Sequence, residues 1–146
     1  MSVDSKTYKV NYKVRVTKAT IKQGTKLPIT DKQRLEIIKE MKLLKHWNEN
    51  EANYDYEPAF GAIEFKFNLP GKKWIRVIVF QDDERKIMWV IRTFAKKSNQ
   101  IEKRHQIGIE TAVSQLKAEI EKYKREQKYM NAKNNLGVVK GGKDHE

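Results

Sequence analysis

Residues 8–16 alternate without a break: Tyr8, Val10, Tyr12, Val14 and Val16 fall on one side, and Lys9, Asn11, Lys13 and Arg15 on the other. A period of two over that length predicts a half-buried strand. A polar stretch through Gly24 and Pro28 follows. Thr30 then stands three residues before Gln33, the spacing of a capping box that opens a helix. Leu35, Ile38, Met41 and Leu44 or Lys45 trace one face of that helix, which is expected to end near Trp47. Asn48 to Glu57 is polar, acidic and aperiodic and reads as a loop, with Pro58 at its end.

Three more strands are predicted in quick succession. Ile63, Phe65, Phe67 and Leu69 alternate with Glu64, Lys66 and Asn68. Pro70-Gly71 has turn chemistry, since Pro fixes φ and Gly allows φ above zero. Trp74 to Phe80 forms the next strand, Gln81 to Arg85 a polar turn, and Lys86 to Phe94 the last strand. Such short connections make neighbouring strands antiparallel. Ser98 or Asn99 can cap a long final helix on which Ile109, Val113, Leu116, Ile120 and Tyr123 form one apolar stripe. The order is strand, helix, three-strand meander and C-terminal helix. It predicts an α+β chain with a single antiparallel sheet and helices on one face. Residues 1–130 are expected to form one domain and 131–146, with Gly137, Gly141 and Gly142, a disordered tail.

Register decides which cations meet. A turn that sets Phe80 opposite Lys86 puts Arg76, Met88, Val90 and Arg92 on one face. At Pro70-Gly71, setting Leu69 opposite Lys73 places Lys66 beside Arg76, whereas setting it opposite Lys72 reverses the parity. Only the first choice joins Ile63, Phe65 and Phe67 to Ile75, Val77 and Val79 in one buried layer. Lys66, Arg76 and Arg92 are therefore expected on one sheet face, with Trp74, Phe80 and Phe94 close by.

Composition gives that face a partner. The chain has 146 residues, 34% of them charged and 38% hydrophobic, and carries a net charge of +12. Such an excess draws in polyanions. Clustered cations neutralise a phosphodiester, and aromatic rings give splayed bases a surface to stack on. There is no cysteine, so disulfides, thiolate nucleophiles and cysteine-based zinc sites are excluded. No signal peptide or membrane span is visible, so a cytoplasmic location is expected. His46, His105 and His145 are widely separated and read as solvated positions. Asp82-Asp83-Glu84 reads as a solvated hairpin end, and no metal or other cofactor is expected.

Ile63-Glu64-Phe65-Lys66, Trp74-Ile75-Arg76-Val77-Ile78-Val79-Phe80 and Arg92-Thr93-Phe94-Ala95-Lys96-Lys97 resemble the HigB-like branch of the RelE/ParE toxin superfamily, over roughly residues 30 to 125. Arg92 departs from that pattern, standing where many relatives have His. The Thr-Pro common before the last helix is also missing. The resemblance implies a RelE-like fold and a metal-independent endoribonuclease acting on mRNA on the ribosome, held in check by an antitoxin of helix-turn-helix type. Carried onto this sequence, it makes Lys66, Arg76 and Arg92 the catalytic candidates: the arginines stabilise the phosphorane and Lys66 acts as base. Lys72, Lys73, Trp74, Phe94, Lys96 and Lys97 become the RNA-binding candidates. A catalytically silent RNA- or ribosome-binding module and a ParE-like gyrase inhibitor are the alternatives.

Overall fold

The computed structural model describes residues 11–48 and 55–139, with side chains to residue 134. Two compact units divide the chain, Met1–Val113 and Ser114–Glu146. The first holds β1 (Lys13–Val16), α1 (Lys18–Thr25), α2 (Asp31–Lys42) with a 3-10 turn at Leu43–His46, β2 (Tyr56–Ala59), β3 (Ala62–Leu69), β4 (Lys73–Asp82), β5 (Ile87–Ala95) and the opening of α3 (Lys103–Val139). The second holds the remainder of α3.

The strand order is β1-β5-β4-β3-β2. Strands β2 to β5 pair antiparallel, as the short connections require, but β1 lies parallel to β5. The sheet is therefore mixed rather than purely antiparallel. The turn between β4 and β5 does not produce the parallel pair; it arises because β1 belongs to the far edge of the sheet and runs alongside a strand about seventy positions later. Lys13 N donates to Lys86 O at 2.9 Å and Thr17 N to Val90 O at 3.1 Å. Tyr12 begins this edge. Residues 8–10 of the expected strand lie outside the described residues.

At the β3–β4 turn Leu69 faces Lys73 and Lys66 faces Arg76. Ile63, Phe65 and Phe67 accordingly share a layer with Ile75, Val77 and Val79. The β4–β5 turn differs from expectation: Asp82 faces Ile87 and Phe80 faces Trp89, and the register shifts between Ile78 and Val79. Ile91 is the extra residue of this irregularity. Beyond it Ile78 faces Arg92 and Arg76 faces Phe94, so Arg76 and Arg92 do share a face. Met88 and Val90, expected beside them, face the opposite way and enter the core.

That core also takes Tyr12, Ile37, Met41, Leu44 and Trp47. The capping box at Thr30 and Gln33 forms as the spacing required. The buried face of α2 is Ile37 and Met41, continued by Leu44 in the 3-10 turn, whereas Leu35 is 59% exposed and Ile38 is also exposed. Trp47 meets Tyr56 and Phe65 edge-on at 5.2 and 5.5 Å. Helices lie on both faces of the sheet, not one, because the first turns of α3 cover the face that carries Phe94 and Arg92.

Several further readings are corrected. Residues 56–59, assigned to loop and to the Pro58 boundary, form β2. Residues 18–25 form a helix, α1, capped by the Thr17 side chain, which accepts from Thr20 N. The acidic turn is solvated at Asp83 and Glu84 but not at Asp82, which is buried and accepts from Arg85 N and Nε; Asp83 accepts from Tyr12 Oη at 2.6 Å. Neither Ser98 nor Asn99 caps the last helix, which starts at Lys103. It runs on through residues 131–139, where the composition predicted a disordered tail.

A candidate phosphate-binding cleft

At one end of the sheet, beyond the part that α3 covers, Lys66 on β3, Arg76 on β4 and Lys96 just past β5 converge on an open cleft of about 310 Å³. Glu57, Asn68, Trp74, Ser98 and Asn99 complete its lining. The strand alternation explains the convergence. Glu64, Lys66 and Asn68 project from β3 on the face where β4 presents Trp74 and Arg76. Lys96 is fastened by its own backbone, which donates to Trp74 O at 2.7 Å.

Glu64 organises these cations. It is 2% exposed, and its Oε2 lies 3.0 Å from Arg76 Nε and 3.2 Å from Lys96 Nζ. The Arg76 contact is an ion pair without the alignment of a hydrogen bond. Arg76 NH1 donates to Asn68 Oδ1 at 2.9 Å and to Ile75 O at 3.2 Å. NH2 makes no hydrogen bond among the described residues. A buried carboxylate with two cations on one oxygen holds both head groups in fixed positions, which is the preorganisation that anion binding needs. Lys66 pairs instead with the half-exposed Glu57, Nζ to Oε2 at 3.2 Å. Three cations against two carboxylates leave the lining net positive. Trp74 is 39% exposed at the edge, so its ring is open to a stacking partner.

The remaining sequence candidates lie elsewhere. Lys72 occupies the β3–β4 turn with φ +59°, and Lys73, Lys97 and Arg92 do not line the cleft. Phe94 is buried, and its ring is already covered by His105, centroids 4.0 Å apart and nearly parallel. Arg92 Nε donates to His105 Nδ1 at 2.9 Å. Burial, followed by the neighbouring Arg92 and Arg104, pushes the His105 pKa down to about 4. At neutral pH its ring is uncharged, with Nδ1 committed to Arg92. Burial and Arg104 lower Arg92 as well.

Sequence reasoning missed Glu64, Glu57 and the burial of His105. Glu64 could have been found as an acidic residue in the same inward row as Lys66. His105 had a signal three residues on, a glycine within an otherwise unbroken helical pattern, which marks a close approach.

The fold and the cleft together define a mixed-sheet α+β protein with a cation-lined cleft at one end of the sheet. No family model matches the sequence, and no curated protein matches it. Among solved structures it is similar to the toxin-antitoxin complex RelBE2 from Mycobacterium tuberculosis, with 14% identity, TM-score 0.45 and coverage of 61% of this chain and 95% of the other. It is similar also to a mutant of the E. coli toxin RelE in the free state, with 18% identity, TM-score 0.44 and coverage of 61% and 87%. The isolated E. coli RelE toxin gives 15% identity, TM-score 0.43 and coverage of 69% and 98%.

Proposed function

We propose that this chain is the toxin of a toxin–antitoxin pair, an endoribonuclease that cuts mRNA on the ribosome and is neutralised by a cognate antitoxin, of helix-turn-helix type for the HigB-like branch. The observation that carries the reading is the convergence of Lys66, Arg76 and Lys96 on one cleft, the last two held by buried Glu64, with Trp74 at the edge. The three sequence runs quoted above and the net charge of +12 support it.

In this reading a ribose 2′-OH attacks the adjacent phosphorus and the 5′-oxygen leaves, giving a cyclic phosphate and a free 5′-hydroxyl. Arg76, held by Glu64 and Asn68, stabilises the charge that builds on the phosphorane. Lys66 stands where it can take the 2′-OH proton, and Lys96 where it can return one to the leaving oxygen. Trp74 stacks a neighbouring base. Arg92, outside the cleft lining, does not touch the reacting phosphate.

A second reading is a ribosome- or RNA-binding module that does not cut. It is favoured by the lining itself, in which no imidazole stands among the described residues.

Induction of the chain in a bacterium, with growth and full-length mRNA followed, tests both. Growth arrest with mRNA cuts in phase with codons is expected, and Arg76→Ala should slow cleavage by roughly 10²–10³-fold. Arrest with intact mRNA would instead support the binding module. Normal growth from soluble, folded protein would overturn the toxin reading.

A further inference from the structure

Arg92 is a half-buried cation without a counter-charge. Among the described residues no carboxylate forms an ion pair with it. Its Nε donates to an uncharged imidazole, and the charge that acts on it comes from Arg104, of its own sign. Cations drawn away from water ordinarily have an anionic partner. Its terminal nitrogens are not among the buried unpartnered atoms, so they retain access to solvent.

The fold makes room for this group at a measurable sacrifice. Gly108 lies inside α3, where glycine is about 1 kcal/mol less favourable than alanine. A Cβ at that position would collide with NH1 and Cζ of Arg92. The helix gives up propensity so that a guanidinium can lie against its backbone. The neutral, stacked His105 then fixes the direction of the fork.

We propose that Arg92, with Arg104 beside it, forms a second phosphate-binding site, which holds a phosphodiester of the RNA strand after it leaves the cleft. This rests on the RNA reading of the cleft. Lys96 and Arg92 are four residues apart and on the same face, about 13 Å along the strand direction, with the Phe94–His105 stack between them. A guanidinium whose Nε is already tied offers its remaining fork to two phosphate oxygens. Arg104 now pairs with the partly exposed Glu102, Nε to Oε1 at 2.9 Å, and a phosphate would compete with that carboxylate.

Binding of two single-stranded RNAs to the full chain tests the site: a trinucleotide, which fills only the cleft, and an oligonucleotide of about twelve nucleotides. Each is titrated over a range of salt. For the longer RNA, Arg92→Gln should weaken binding and flatten the slope of log affinity against log salt by about 0.7, one phosphate contact. Gly108→Ala, which favours the helix but evicts the guanidinium, should weaken the longer RNA without removing any charge. Neither variant should change trinucleotide binding. Wild-type affinity for the longer RNA in either variant would overturn the second site. So would an equal loss for the trinucleotide, since Arg92 would then be shaping the cleft. Wild-type protein that held neither RNA would overturn the cleft reading beneath it.

Discussion

Glu57 and Glu64 are both acidic residues set against cleft cations, yet they differ in what a ligand can do to them. Glu64 is sealed under Arg76 and Lys96, and removing it would strand two cations in a poorly hydrated place. Glu57 is half exposed and holds Lys66 by a contact that water and salt weaken. It therefore competes with phosphate. Glu57→Gln should tighten RNA binding by roughly 2- to 5-fold at low salt, measured by fluorescence anisotropy, in keeping with the ~0.2–1 kcal/mol of an exposed ion pair.

His105 makes the second residue-scale prediction. Its folded-state pKa of about 4 lies below the ordinary 6.5, so the unfolded chain takes up a proton that the folded chain resists. The stability this gives is fully present above pH 6.5 and is lost as the pH falls toward 4. Urea midpoints should show wild type losing more stability than His105→Gln between pH 7.5 and 5, and parallel losses would refute the assignment. The sequence placed Lys66 and Arg76 together correctly because strand parity fixes which side chains are neighbours. It could not place His105: Gly108 marks a close approach on the same helix, but nothing local reveals that Phe94 and Arg92 are what the helix approaches.

At the scale of elements, the β3–β4 hairpin was legible and the β2–β3 hairpin was not, for a physical reason. Pro70-Gly71 carries familiar turn chemistry, and the buried layer on both strands admits one register. Between β2 and β3 the loop is Phe60-Gly61, with φ of +50° and +87°. Two positive values in a two-residue loop define a type I′ turn, which favours Asn-Gly. Phenylalanine disguises it, and Pro58 argues against a strand, although Pro is tolerated on an edge such as β2. Phe60 is 39% exposed, so little packing is lost by replacing it. Phe60→Asn should stabilise the protein by up to ~1 kcal/mol, seen as a rise in melting temperature. Helix α1 escaped for a related reason: Lys18–Thr25 is short and polar, and it is tied to β5 by polar contacts of Thr20 and Gln23 rather than by an apolar stripe.

For the whole molecule, charge sets how fast partners arrive rather than what they are. A chain of +12 should associate with single-stranded RNA at a rate that falls steeply between low and physiological salt, measurable by stopped flow. Dissociation should depend more on cleft contacts, so Arg76→Ala should act chiefly on the off-rate. Among the described residues no helix is long and apolar enough to cross a membrane. The meander and its order were readable because each connection is short. The parallel placement of β1 was not, since alternation predicts a strand but says nothing about which edge receives it.

That parallel pair sets an order of events during synthesis. β1 is translated well before its partner β5, which begins only at residue 87, and closing so long a loop is entropically slow. Until then Tyr12 lacks Asp83 and Gln81, its hydrogen-bond partners across the sheet. The cleft has the same dependence, because Lys96 follows directly on β5. A ribosome making this protein thus produces β1 to β5 before any of it can assemble the cation cluster. The cation cluster comes into being late and all at once, after the strands that carry its members have been made.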